Sequence, residues 1–211
     1  MLLGGCGPST SPQTLLKEAR TSLDSTQTVH FTLISTNVVA SGTYLVAAQG
    51  SAKRPDGFTG TLTVSQSGIP LPVKIVSLGG SFYVQLPFSS SWQTANPTDY
   101  GFGDPAQLLD PKHGLTSLLT NATAVTLNNQ DRYNGELLDE VSCDLSGASV
   151  AALLTSADSA RNDQAIVGID ADTHQLRRVA ITGPFVSVKA DSTYTLVLSN
   201  YGEPVTITKP A

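Results

Sequence analysis

Leu15, Leu16, Ala19 and Leu23 recur at the spacing of one helical face, with Lys17, Glu18 and Arg20 mostly turned away from it. That pattern predicts an amphipathic helix over Pro12–Ser25, with Ser11 as its cap and Pro12 in its first turn. From Thr28 the apolar period shortens to two. Val29–Ile34 and Thr43–Val46 read as a first pair of strands, and Phe58–Val64 alternates cleanly, with Phe58, Leu62 and Val64 on one face and three Thr on the other. Leu71–Val76 follows, and Gly79-Gly80 turns the chain into Ser81–Leu86. Pro70 and Pro72 cannot donate ladder hydrogen bonds, so the fourth strand is expected at an edge or a bulge.

The middle of the chain loses this alternation. Asp104-Pro105 opens a short helix carrying Ala106, Leu108 and Leu109, and Asp110-Pro111 breaks it. A second short helix is expected from about Gly114 to Thr120, with Leu115, Leu118 and Leu119 along one side. The two Leu-rich segments read as a lid against the sheet. Strands resume at Val125–Leu127 and Glu136–Leu145, joined through Asn134-Gly135, and a short helix is expected over Ala148–Leu154 with Ser146 as cap. Ala165–Ile169 pairs with Leu176–Ile181 across Asp170–Thr173, and a last hairpin is expected from Ser192–Ser199 and Pro204–Thr208. No repeat or second domain is visible. The expected fold class is α+β, one large twisted antiparallel sheet with helices gathered on one face, spanning residues 12–211 behind a tether at 1–11.

Composition narrows the setting. The 211 residues are 40% apolar and only 14% charged, against about 25% charged in typical soluble proteins. A surface of Ser, Thr, Asn and Gln points outside the cytoplasm. The net charge of −5 argues against nucleic acid, which needs clustered Lys and Arg. No apolar run reaches the roughly eighteen residues of a transmembrane helix. At the amino terminus, Leu2-Leu3-Gly4-Gly5-Cys6 has the form of a bacterial lipobox, with small residues where a signal peptidase cuts before the Cys. The predicted modification is diacylglyceryl transfer to Cys6, followed by the polar tether Gly7–Pro12. Five residues precede Cys6, fewer than a full export signal occupies, so the start is expected to be trimmed or assigned late. The other cysteine, Cys143, falls on the apolar phase of its strand and is expected to be buried and unpaired.

Enzyme chemistry finds little support. His30, His113 and His174 occupy no metal-ligand spacing. His113 lies near Asp110, but no Gly-x-Ser-x-Gly elbow accompanies them. Gly101-Phe102-Gly103 is too short for a dinucleotide fingerprint. Asp170 and Asp172 fit a turn, and Arg177 and Arg178 a strand surface. The expectation is no catalysis, no metal and no cofactor.

The run Asp104–Pro111, followed by Gly114-Leu115 and Leu118-Leu119, resembles the LppX/LprG family of mycobacterial envelope lipoproteins. So do Asp131–Leu138 with its Asn134-Gly135 turn, Trp92 ahead of the Asp-Pro helix, and the ending Tyr201-Gly202-Glu203-Pro204 to Pro210. The resemblance runs from Leu15 to Pro210 and includes the lipobox. It implies a half-barrel sheet of the LolA/LolB plan with helices across its concave side, and between them an apolar cavity for acyl chains. The implied partners are an acylated lipid or glycolipid, a membrane reached through the lipid anchor, and an envelope transporter. The implied protein is a monomeric carrier on the outer face of the cytoplasmic membrane, secreted if Cys6 is not lipidated.

Alternation supplies the candidate lining: Phe58, Leu62, Val64, Val73, Ile75, Phe82, Val84 and Leu86 from the sheet, with Leu108, Leu115, Leu118 and Leu119 from the lid. Small residues at inward or lid positions, Ala47, Gly60 and Ala106, suggest spare room. Alternation by itself predicts burial and not emptiness. A filled core whose Thr-rich outer face meets another protein therefore stays open as the alternative.

Overall fold

A computed structural model describes residues 10–39 and 43–211; the lipobox and Cys6 lie outside the described residues. The helix α1, Pro12–Ser25, is capped by the Ser11 hydroxyl accepting from Thr14 N–H at 3.2 Å, and it buries Leu15, Leu16, Ala19 and Leu23 as the spacing predicts. Six strands follow in a meander: β1 Thr28–Thr36, β2 Thr43–Lys53, β3 Gly57–Gln66, β4 Ile69–Leu78, β5 Ser81–Gln85 and β6 Gln93–Thr94. Two 3-10 helices, Pro97–Tyr100 and Pro105–Leu109, then lead into α2, Leu115–Thr120. The second half holds β7 Thr123–Leu127, β8 Asp131–Tyr133, β9 Glu136–Leu145, α3 Gly147–Leu153, β10 Asp163–Asp170, β11 Leu176–Ser187 and β12 Ala190–Ser199.

Among the described residues, the twelve strands form one open antiparallel sheet in the order β6-β5-β4-β3-β2-β1-β12-β11-β10-β9-β7, with β8 paired to β9. The first and last strands therefore meet in the middle. Pro70 and Pro72 sit where β4 has β3 on one side and no partner on the other, because β5 pairs only from Lys74 to Leu78. A missing N–H costs nothing at such an edge.

Two expected hairpins are corrected. Pro204–Thr208 alternates like a strand but forms none. Both positions beside β12 are taken, by β1 and β11. The tail instead crosses the ends of β1 and β2, where Gly202 N–H donates to Thr28 O at 2.9 Å and Lys53 Nζ to Val205 O at 2.9 Å. The Asn134-Gly135 turn joins β9 to the three-residue β8, a strand too short to carry a period, rather than to β7.

A bulge in β2 changes which residues face inward. Leu45 stands opposite Val64 and Ala47 opposite Thr63, leaving Val46 unpaired. Leu45 and Ala48, three apart, thus share the concave face, and Ala47, expected inward, turns out beside Thr63. The β1–β2 ladder ends at Ile34 and Ala47. Two side chains take up the carbonyls beyond it: Tyr194 Oη donates to Leu45 O at 3.0 Å and Ser35 Oγ to Val46 O at 3.1 Å.

Asp163 opens β10 opposite Leu145, only 3% exposed, with one carboxylate oxygen unpartnered. Burial raises its carboxyl to about 6, opposed by Arg161 and reinforced by Asp158 and Asp191. A carboxyl kept neutral in the fold adds stability that is complete below the usual carboxylate range and is lost as pH rises through about 6. Asp163→Asn should remove that loss. The variant's advantage over the parent in urea unfolding should grow by on the order of 2–3 kcal/mol between about pH 4 and about pH 8. Parallel pH curves for the two proteins would refute this.

Candidate functional site

One row of side chains crosses eight strands on the concave face: Val73, Leu62, Ala48, Leu33, Leu196, Val179, Val167 and Val141. Its two flanks are covered. The Pro105–Leu109 helix packs on β2, β3 and β4, while α1 packs on β7, β10 and β11. Between these covers the roof spans the sheet without filling the space below it. What remains is a half-open apolar hollow of about 110 Å³. Its floor is Leu62, Ala48, Leu33, Leu196 and Val179 of that row, with Phe31, Leu45, Phe58, Ile181 and Tyr194. Its roof is Phe102 to Pro105, Leu108, Leu115 and Leu118, closed by Val150, Leu153 and Leu154 at α3.

The roof is held by few polar ties. Asp104 Oδ1 accepts from Ala106 N–H at 3.0 Å, capping the 3-10 helix, and from the Ser77 hydroxyl of β4 at 2.7 Å. Gly103 N–H donates to Leu153 O at 3.1 Å, linking roof to α3. The Thr116 hydroxyl of α2 donates to Asp24 of α1 at 2.7 Å, and Arg54 approaches the same carboxylate at 3.5 Å. Gly114 starts α2 with its N–H on Asp110 O at 2.8 Å.

Of the expected lining residues, Phe58, Leu62, Leu108, Leu115 and Leu118 border the hollow. Val64, Val73, Ile75, Phe82, Val84 and Leu119 are buried in the core and lie outside it. On the β4–β5 side the roof rests directly on the sheet, and Phe102 stands between Phe82 and the hollow in an edge-on contact at 5.9 Å. Leu119 is turned about 100° from Leu118 around α2, on a helix that also packs against α1. Leu86 is corrected outright: β5 ends at Gln85, and Leu86 enters a turn with 40% of its surface exposed. Nor do the other two small residues open space. Ala106 is buried in the roof, and a Cβ on Gly60 would lie 2.3 Å from Gln49 O, because β2 and β3 close on each other there. Sequence reading missed the contributions of β1, β11 and β12. Their alternation was visible, but nothing local says that the first and last strands become the middle of the sheet.

Candidate chemical groups elsewhere have structural roles. Asp110 Oδ1 accepts from Lys112 N–H, His113 N–H and His113 Nδ1 at 2.8–2.9 Å, which shapes the turn before α2. Partial burial raises its carboxyl, but those hydrogen bonds outweigh it and leave the group below its ordinary value. Asp170 Oδ1 likewise accepts from Asp172 N–H, Thr173 N–H and the Thr173 hydroxyl, as expected of a turn aspartate. Arg178 is paired with Glu140 and lies 4.8 Å from the Tyr133 ring centre, and Arg177 is paired with Glu136. Neither arginine reaches the hollow. Cys143 is buried and free, and burial pushes its thiol up to about 11, with Asp144 adding to the rise. Among the described residues, no three His, Cys, Asp or Glu side chains converge on a metal position.

The sequence matches the LppX_LprAFG lipoprotein family over residues 11–207. The chain belongs to that family. Among LppX_LprAFG relatives, it is 26% identical over 207 residues to the lipoarabinomannan carrier protein LprG of Mycobacterium tuberculosis H37Rv, covering 97% of this chain and 84% of that one. To the protein of the same name from Mycobacterium leprae it is 27% identical over 157 residues, 72% of this chain but only 62% of that relative. The fold is that of LprF from Mycobacterium bovis, with TM-score 0.77 at 18% identity, covering 97% and 99% of the two chains. LppX of Mycobacterium tuberculosis matches with TM-score 0.68 at 21% identity, covering 93% and 98%.

Proposed function

We propose that this protein carries or presents lipids or glycolipids in the cell envelope by holding their acyl chains in the hollow over the centre of the sheet. The observation that carries the reading is the hollow left between the roof and the concave row, bordered below by Leu62, Ala48, Leu33, Leu196 and Val179. The names of its LprG relatives support a carrier role, and glycolipid is the cargo class they favour.

Each methylene leaving water contributes about 0.8 kcal/mol, so a tail of roughly fifteen carbons gains on the order of 12 kcal/mol without any charged contact. The hollow of about 110 Å³ is smaller than a cavity of roughly 150 Å³ that accepts benzene. It therefore takes the leading carbons of a tail, and full entry requires the roof to lift. The 3-10 helix and the six-residue α2 suit that movement, because short segments with few ties open at lower cost than long packed elements. On this reading Cys6 is the lipidation site that keeps the carrier at a membrane.

Native mass spectrometry of the purified protein tests the proposal. The expected result is acylated lipid in a fixed ratio to protein, released on unfolding. Protein that emerges empty, and takes up no fatty acid when supplied with it, would sink the carrier reading and leave the filled-core binding module.

A further inference from the structure

The ladders define two ends of the sheet. At one end lie residues 37–39, which follow β1, and the connections 67–68, 86–92 and 188–189, which join β3 to β4, β5 to β6 and β11 to β12. In the strand order β6-β5-β4-β3-β2-β1-β12-β11 these connections fall at every second strand. With strands about 4.8 Å apart, their tips are spaced roughly 10 Å along an arc. Each tip displays an apolar side chain to solvent: Phe88 at 107% exposure beside Leu86 at 40%, Ile69 at 62%, Val39 at 69% and Val188 at 91%.

Charge is distributed in the opposite sense. Residues 37–39, 67–72 and 86–92 contain no charged side chain, and the β11–β12 tip with its strand ends, 187–191, holds one lysine and one aspartate, Lys189 and Asp191. The opposite end carries Lys53, Arg54, Asp56, Asp131, Arg132, Glu136, Asp170, Asp172 and Glu203 on its turns and strand ends. The apolar arc stops at β10, whose approach segment holds Asp158 and Arg161.

We propose that this arc of hairpin tips is a membrane-docking rim that inserts its apolar side chains into the surface of a lipid bilayer, independently of any acyl anchor. A protein partner wants a continuous, shape-matched patch whose centre is dry. Separate tips with polar gaps between them offer no such centre. A fluid interface accepts isolated side chains wherever they project and disfavours charge, which three of the four tips lack and the fourth carries only as the compensating Lys189 and Asp191. Trp92, the only tryptophan of the chain, lies half-buried beside the Phe88 loop, and Trp favours the headgroup level. The inference rests on the carrier reading for its purpose. The hollow reaches Tyr194 and Leu45, and Tyr194 is four residues along β12 from its rim end at Ala190, about 13 Å by strand rise.

The test uses the whole chain carrying Cys6→Ser, so that no anchor contributes, with phosphatidylcholine vesicles. Two readouts are vesicle co-sedimentation and quenching of Trp92 by headgroup-labelled nitroxide lipid. Binding and quenching are expected, and Phe88→Ser combined with Val188→Ser should weaken binding at least tenfold without changing the melting temperature. Leu137→Ser, at the charged end, should leave binding unchanged. No vesicle binding, binding indifferent to the rim substitutions, or a dimer that those substitutions dissolve would each overturn the proposal. Fatty-acid uptake measured on the same proteins without vesicles separates the two readings. Uptake without vesicle binding removes the rim and keeps the carrier, and vesicle binding without uptake does the reverse.

Discussion

Ala48→Phe is expected to lower affinity for a long-chain fatty acid about a hundredfold while the protein stays folded. Ala48 is the one small residue of the concave row, between Leu62 and Leu33, and it borders the hollow. A phenyl ring placed there occupies most of a space of about 110 Å³. The ring would displace roughly four methylenes of a tail, worth about 3 kcal/mol, which is about two decades in Kd. Because the ring enters a void, the overpacking penalty should stay near the low end of the usual range of about 1–3 kcal/mol, a shift of a few degrees in Tm. Titration with a fluorescent fatty acid, beside a thermal melt, checks both halves. Unchanged affinity in a folded variant would mean that tails lie somewhere other than over Ala48.

Gly114→Ala is expected to destabilise the fold by about 3 kcal/mol or more, a drop in Tm on the order of 10 °C for a chain of this size. A Cβ at this position would lie 2.4 Å from the carbonyl oxygens of both Gln107 and Leu108 and 2.7 Å from that of Asp110. All three are backbone atoms, so no side-chain rotation relieves the overlap. The whole joint between the Pro105–Leu109 helix and α2 must shift, and with it the roof. Differential scanning calorimetry measures the loss, and binding of an apolar dye should rise as the hollow is uncovered. A melting temperature within a degree or two of the parent would contradict the packing described around this glycine.

These two residues also show how far the chain could be read unaided. Gly114 stood out because it precedes Leu115, Leu118 and Leu119, and local signals of that kind placed α1, the Gly79-Gly80 turn and both roof segments where the structure has them. Ala48 did not stand out. Leu45-Val46-Ala47-Ala48 is compatible with either alanine facing inward, and the bulge that selects Ala48 depends on the pairing of β2 with β3. The same limit explains the lining. Leu33 and Leu196 are ordinary strand residues until β1 is known to lie beside β12. Val73, Ile75 and Val84 read as equally good candidates until the roof is known to rest on them. Periodicity reports which face a residue takes. Where that face is left uncovered is decided by elements distant in the chain.

The seam between β1 and β12 runs from His30 opposite Ser199 to Thr36 opposite Thr193, and it joins the two halves of the sheet. Its partners come from opposite ends of the chain, so the floor of the hollow is completed only once the final strand has been synthesised, and folding should be correspondingly slow. Until then each half is a meander with an open flank. A molecule lodged on Leu33 and Leu196 grips both halves at their weld. Occupancy should therefore brace the molecule as a whole, and loaded protein should melt above empty protein by an increment that grows with the logarithm of free ligand.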